Sequence, residues 1–190
     1  MSEEAGQVRN EELDAEREAR RRLALGQIRQ YADPVLRMRA REVESFDEDL
    51  RRLVDRMSKL MVDANGVGLA ATQVGVLRRV FVLQRGEEET IALVNPRIVE
   101  RSEELDADEE GCLSLQGVQV PVERHVRITF EAKDPEGADL RLELETLDAR
   151  VAQHEYDHLD GVLIIDRTTP EARREALAIL RPQPVLDGRP

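Results

Sequence analysis

The chain has 190 residues, a formal net charge of −12 and a single cysteine, Cys112. That length suits one domain with a proper core plus terminal extensions, while the acidic balance argues against a sequence-independent nucleic-acid or anionic-membrane surface, which needs a basic footprint. One thiol excludes an intrachain disulfide, no stretch approaches the roughly 18 apolar residues of a bilayer span, and the start of the chain lacks the apolar segment of a signal peptide, so the expectation is a cytoplasmic protein with no membrane partner.

Aromatic residues make up 3% and tryptophan is absent, so the core has to be built from Leu, Val, Ile and Ala. Only Lys59 and Lys133 among the 28 basic residues are lysine, which reads as a coding bias toward arginine. Residues 1–27 form a charge-dense extension, acidic early (Glu11, Glu12, Asp14, Glu16, Glu18) and basic late (Arg20, Arg21, Arg22). That order suits a helix dipole, with Glu16/Arg20 and Glu18/Arg22 as neighbours four apart. Its apolar stripe (Leu13, Leu23, Leu25) is poor, so it is expected to be weakly docked or mobile. Asp33-Pro34 marks a turn or extended entry. Ser45-x-x-Glu48 reads as a capping box opening an amphipathic helix through Leu50, Leu53, Val54, Met57, Leu60 and Met61, which ends near Asn65-Gly66.

Short β-like runs follow at 80–83, at 91–94 before Asn95-Pro96, at 126–130 and at 140–144. The last two alternate as half-buried strands do, and Asp134-Pro135-Glu136-Gly137 between them predicts a hairpin. A helix carrying two histidines comes next, then 162–165 as a last strand, and a terminal helix over 170–181 with Pro170 at its start and Pro182 beyond its end. No repeat or linker divides the chain into two folding units.

The chemistry concentrates in Gln153-His154-Glu155-Tyr156-Asp157-His158-Leu159-Asp160-Gly161. His154 and His158 are four apart, so on a helix they share a face and can share a metal, while Glu155 is turned aside toward a water at the site's open position. Positions 147, 151, 154 and 158 form one stripe, expected to be buried, and Gly161 is a natural helix stop. A tetrahedral catalytic site needs a third protein ligand. The candidates are Cys112, His125, Asp166 and Glu171, with Cys112 the best placed: in Glu110-Gly111-Cys112-Leu113-Ser114 the glycine permits close backbone approach and the Leu113 N–H can be exposed beside the metal. The segment from Gly66 to Gly75 is too apolar for a phosphate cradle; its small residues suit packing against a substrate chain, with Gln73 able to donate to a developing oxyanion.

Three stretches, GVGLAATQ (66–73), EGCLS (110–114) and QHEYDHLDG (153–161), resemble in order the three motifs of the peptide deformylase family, and the region from Gln30 to Arg37 resembles the family's start. The resemblance covers roughly residues 28–168, leaving the charged extension 1–27 and a C-terminal helix and tail, 169–190, outside it. It implies an α+β fold with short antiparallel or mixed sheets around a central helix carrying the His-Glu-x-x-His motif. It implies one divalent metal, usually Fe²⁺, with Zn²⁺, Ni²⁺ or Co²⁺ able to occupy a site made by Cys112, His154 and His158. The implied activity is removal of the formyl group from N-formylmethionyl nascent peptides, with the ribosome as a further partner. Glu155 would be the general base, Gln73 and the Leu113 N–H would hold the oxyanion, and Val67, Gly68, Gly111, Leu147 and Val151 would line the substrate. Gln116 and His125 stand where family members frequently have proline, which bears on loop geometry and peptide preference. A zincin-like peptidase and a silent nascent-chain-binding homologue are the alternatives.

Overall fold

The computed structural model describes residues 2–86 and 89–181, with side chains from residue 14 on. The first helix, α1, spans Ser2–Leu25. Its end is held by Ala24 and, just beyond it, Ile28, which are 2% and 3% exposed. Of the expected stripe, Leu23 points to solvent and Leu25 is half-buried, while the Leu13 side chain lies outside the described residues. Glu18 faces Arg21 at 3.8 Å, three residues on, where the expected partner was Arg22.

Helix α2, Glu48–Asp63, buries Leu50, Val54, Met57, Leu60 and Met61 on one face, each burial worth about 2 kcal/mol. Its cap is Asp47 rather than Ser45. Asp47 is extended and its carboxylate accepts from the Leu50 N–H at 3.0 Å, so the helix starts two residues later than the Ser-x-x-Glu pattern indicates. It stops at Ala64, and Asn65 takes φ 55° in the turn that leads to Gly66. Asp33 caps a single 3₁₀ turn over Pro34–Arg37, its carboxylate accepting from the Val35 N–H.

Strands β1 (Gly68–Ala70), β2 (Val80–Arg85), β3 (Glu89–Arg101), β6 (Arg127–Lys133) and β7 (Asp139–Glu145) form one antiparallel sheet in the order β1-β2-β3-β6-β7. Strands β4 (Leu105–Gly111) and β5 (Gln119–His125) form a second, two-stranded antiparallel sheet. The expected strand at 91–94 does not end at Asn95-Pro96. Asn95 adopts φ 51° and its side chain exchanges two hydrogen bonds with the Val43 backbone, at 2.7 and 2.9 Å. The register shifts there as at a β-bulge, where a proline lacking its N–H is tolerated, and the strand continues. The β6–β7 hairpin is present: the Asp134 carboxylate accepts from the Glu136 and Ala138 N–H groups, and Gly137 takes φ 92°.

The run 162–165 is not a strand. Leu163 is extended, then Ile164–Asp166 make a 3₁₀ turn whose Asp166 carboxylate accepts from the Leu163 N–H. A short apolar run reads equally as a strand or as a buried turn, and here it fills a cluster with Leu36, Leu115, Val118, Val120 and Val122. Helix α4, Pro170–Leu180, opens with Thr169 as its cap; Pro182 lies outside the described residues. Helix α3, Thr146–Leu159, packs against strands of both sheets. The result is an α+β fold of antiparallel sheets and helices.

Candidate metal and catalytic site

Helix α3 presents His154 and His158 one turn apart, their rings in edge contact with centroids 4.9 Å apart. The turn that ends it requires glycine: Gly161 has φ 73°, and a Cβ there would stand 2.5 Å from the Arg37 carbonyl oxygen. Cys112 arrives from the other sheet, directly after β4 ends at Gly111. Its Sγ lies 3.3 Å from His158 Nε2, which lies 3.2 Å from His154 Nε2. Three ligand atoms within 4.8 Å of one another make a soft sulfur and nitrogen set, the donor chemistry of a divalent transition metal.

The alternative third ligands are elsewhere. His125 Nδ1 faces the Ser102 carbonyl at 2.7 Å, Asp166 pairs with Arg37 and Arg173, and Glu171 pairs with Arg174.

Glu110 orients the cluster. One of its oxygens lies 3.1 Å from His154 Nδ1, Arg124 grips both oxygens at 2.9 Å, and Arg150 donates to it at 2.9 Å. Burial alone would raise this carboxyl, but the hydrogen bonds from His154 and Arg124 and the charge of Arg124 outweigh it and hold its pKa at about 2. A carboxylate on the far nitrogen of a ligating imidazole fixes which nitrogen faces the metal. Arg124 continues to Asp157 at 2.6 Å, and Asp157 is held from its other side by Arg167. Glu110, Arg124, Arg150 and Asp157 were not singled out in the sequence. The available signal was that Glu110 and Asp157 are acids inside two otherwise explained motifs.

Burial disfavours a charge on His154, yet its hydrogen bonds to Cys112 and Glu110 raise its pKa well above the ordinary value. His158 is driven well below by burial and by the positive charges of His154 and Arg124. Its Nδ1 has no hydrogen-bond partner among the described residues. Glu155 is 4% exposed, and its Oε2 is likewise without a partner. Burial raises its pKa to about 7, against the opposing charge of His154. Gly68 of β1 stands against it: a Cβ at that position would meet Glu155 Cγ at 2.8 Å.

Gln73 sits in a 3₁₀ turn over Ala71–Val74. Its Oε1 accepts from the Ala70 N–H at 2.8 Å, so its NH₂ points toward Ser114 Oγ at 3.1 Å and Cys112 Sγ at 3.7 Å. The Leu113 carbonyl accepts from Gln30 at 3.0 Å and from Gln116 at 2.6 Å, so Gln116 ties down the loop after the cysteine.

These groups open onto one cavity of about 750 Å³. Of the site residues implied by the motifs, all border it except His158, which is 1% exposed beneath the floor. Leu147 departs from expectation. It is 63% exposed, because the first turn of α3 lies at the cavity mouth, and Val151 is half-buried, so the stripe becomes buried only at His154.

An α+β fold with a cysteine and two histidines gathered beside a buried carboxylate defines a metal-dependent hydrolase. A family model described as polypeptide deformylase matches residues 25–174. A peptide deformylase of Natranaerobius thermophilus is 44% identical over 153 residues, covering 80% of this chain and 98% of the relative. One of Thermotoga maritima is 47% identical over 146 residues, covering 77% and 88%. Among solved structures, a peptide deformylase from Legionella pneumophila superposes with a TM-score of 0.77 at 40% identity, covering 80% of this chain and 91% of that one. One from Synechococcus elongatus, solved in complex with actinonin, gives 0.76 at 36% identity, covering 82% and 91%. The chain belongs to the polypeptide deformylase family. It is a hydrolase of that family, whose metal-dependent members remove the N-formyl group from nascent polypeptides. Among the described residues no helix is long and apolar enough to cross a membrane.

Proposed function

We propose that residues 28–168 are the catalytic unit and that Cys112, His154 and His158 hold one divalent metal, Fe²⁺ in the cell, with Zn²⁺, Ni²⁺ or Co²⁺ able to take its place. When bound, the cation supplies Lewis acidity toward the formyl carbonyl and makes water more acidic. The observation that carries this reading is the position of Cys112 Sγ, 3.3 Å from His158 Nε2, which supplies a third soft donor from outside the helix. A zincin-like peptidase would instead draw its third ligand from downstream of His158, and Asp166 and Glu171 are engaged with arginines there.

Glu155 serves as the general base. It removes a proton from the attacking water as the new C–O bond forms at the formyl carbon, and it delivers a proton to the amine nitrogen as the C–N bond breaks. The products are formate and a free N-terminal methionine. A carboxyl whose pKa is raised to about 7 by burial is matched to moving a proton both ways near neutrality. The Gln73 amide and the Leu113 N–H hold the oxyanion, each such donor being worth about 3 kcal/mol of barrier. Val67, Leu147 and Val151 receive the methionine side chain and its neighbours. The peptide runs as a strand beside Gly68 and Gly111; this is supported by β1 and β4 being edge strands of their sheets, both bordering the cavity. The substrate chemistry fits a cytoplasmic enzyme that meets chains as they leave the ribosome.

The test is release of formate from a formyl-Met tripeptide, with mass spectrometry of the products. Formate plus the intact deformylated tripeptide is the expected result. Internal cleavage of unformylated peptides without formate would favour the peptidase.

A further inference from the structure

The cavity is not closed by the family's own residues alone. Arg21 of α1 and Ile179 of α4 also border it, and both lie outside the span 25–174 that matches the family. The two terminal additions therefore reach the mouth of the site. The end of α1 is positioned for this by Ala24 and Ile28, which sit in the same buried cluster as Leu50, Met57 and Val74.

The charges along the cavity separate into those already engaged and those that are free to meet a ligand. Glu110 and Arg150 neutralise each other at 2.9 Å, and Arg150 also donates to the Val122 and Asp106 carbonyls. Glu155 is buried at the reacting centre. Arg21 and Glu109 remain at the mouth, and Arg21 is the solvent-reachable cation among the described lining residues. Its ion pair with Glu18 is 3.8 Å long and the two side chains are 36% and 57% exposed, a pair too weak to withhold the guanidinium from a ligand. Arg20 and Arg22, on either side in sequence, are exposed and do not border the cavity.

We propose that Arg21 is a specificity-determining residue: it recognises an acidic side chain at the third or fourth position of the formyl-Met peptide, so that the N-terminal extension selects among nascent chains. This rests on the deformylase reading of the site. The formyl-methionine occupies the centre beside Glu155 and Cys112, so a strand leaving it meets the mouth only with its later residues. The chain's net charge of −12 acts against acidic peptides as a whole, so a preference for them that depends on one arginine isolates a local contact from the general field.

The experiment compares kcat/KM for formyl-Met-Ala-Asp-Asp and formyl-Met-Ala-Lys-Lys amides in the metal-loaded wild type and in Arg21→Ala, Arg21→Glu and Arg20→Glu, with formyl-Met-Ala-Ala amide as the neutral reference. The acid-to-base selectivity ratio should fall about fourfold in Arg21→Ala and about tenfold or more in Arg21→Glu. It should stay within about twofold of wild type in Arg20→Glu, and the differences should shrink in about 0.5 M salt. The neutral peptide should be processed equally by all four proteins. An unchanged ratio in both Arg21 variants, or an equal shift in Arg20→Glu, would overturn the proposal while leaving deformylation intact. No formate from any peptide would instead remove the functional reading and this proposal with it.

Discussion

Adding one methyl group at Gly68 tests whether Glu155 is held where the chemistry needs it. The Cβ of Gly68→Ala would stand 2.8 Å from Glu155 Cγ and 2.9 Å from Cδ, against a comfortable carbon separation of about 3.5 to 4.0 Å. Gly68 is on an edge strand paired with β2 at Leu83, so the side chain of Glu155 must yield, by roughly 1 Å. A displacement of that size in a positioned group costs about a hundredfold, within the 10² to 10⁴ that a general base contributes at about full strength. The folding cost should be small, about 1 to 2 kcal/mol of overpacking. The assay is steady-state formate release on protein of measured metal content, with a thermal melt alongside. The expected result is kcat down about a hundredfold with metal retained, and a Gly68→Ala/Glu155→Ala double variant no slower than Glu155→Ala alone, because both changes act on the same function. A kcat within about threefold of wild type with only KM raised would show that the methyl meets the peptide rather than the base, and that Glu155 does not depend on Gly68 for its position.

Gly161→Ala should cost about 2 to 3 kcal/mol in denaturant unfolding, from the positive φ and the 2.5 Å approach to the Arg37 carbonyl; near-wild-type stability would mean the helix end differs from that described. Glu110 links stability to pH. Its folded pKa of about 2 lies below the ordinary 4.5, so its contribution is fully present above 4.5 and fades as pH falls toward 2, with about 2 kcal/mol gone by pH 3. Melts of metal-free protein should show that loss in the wild type and a flatter profile in Glu110→Gln, which should also be less stable at neutral pH because Arg124 and Arg150 lose their counter-charge. An equal slope in the variant would assign the acid sensitivity to other groups. If iron is the native metal, handling in air should inactivate the enzyme through the cysteine-ligated site, and equal activity after aerobic and anaerobic preparation would count against iron.

Helix α2 was legible because its buried face, Leu50 to Met61, follows three-and-four spacing and ends at an Asn-Gly turn. The histidine pair was legible for the same geometric reason. Cys112 was not placed by spacing: its glycine context made it the best of four candidates and the order of three motifs pointed to it as the ligand, since its approach to His158 depends on how the second sheet docks on α3. That sheet itself was missed. Four of the seven residues of β4 are acidic and all but Glu110 are exposed, and such residues disfavour strands; it forms because β5 pairs with it and places Val120 and Val122 in the core. The Glu110 network was hidden for a related reason. A buried carboxylate reads as a surface charge until the fold brings Arg124 and Arg150 to it from β5 and α3. Asn95 and the 162–165 run illustrate the opposite limit, where local residue types fit two conformations and a distant partner, Val43 or the Leu36 cluster, decides between them. For the place of Arg21 at the cavity mouth no sequence signal existed, because it depends only on where α1 ends.

On the proposed reading, a metal held by Cys112, His154 and His158 and a proton carried by Glu155 together make the hydrolase. The most direct measurement is metal content and formate release on the same anaerobic samples of wild type, Glu155→Ala and Cys112→Ala. The expected result is one metal per chain and turnover in the wild type, the same metal with turnover down about 10² to 10⁴-fold in Glu155→Ala, and loss of both in Cys112→Ala. Full turnover in Glu155→Ala, or undiminished metal in Cys112→Ala, would contradict it.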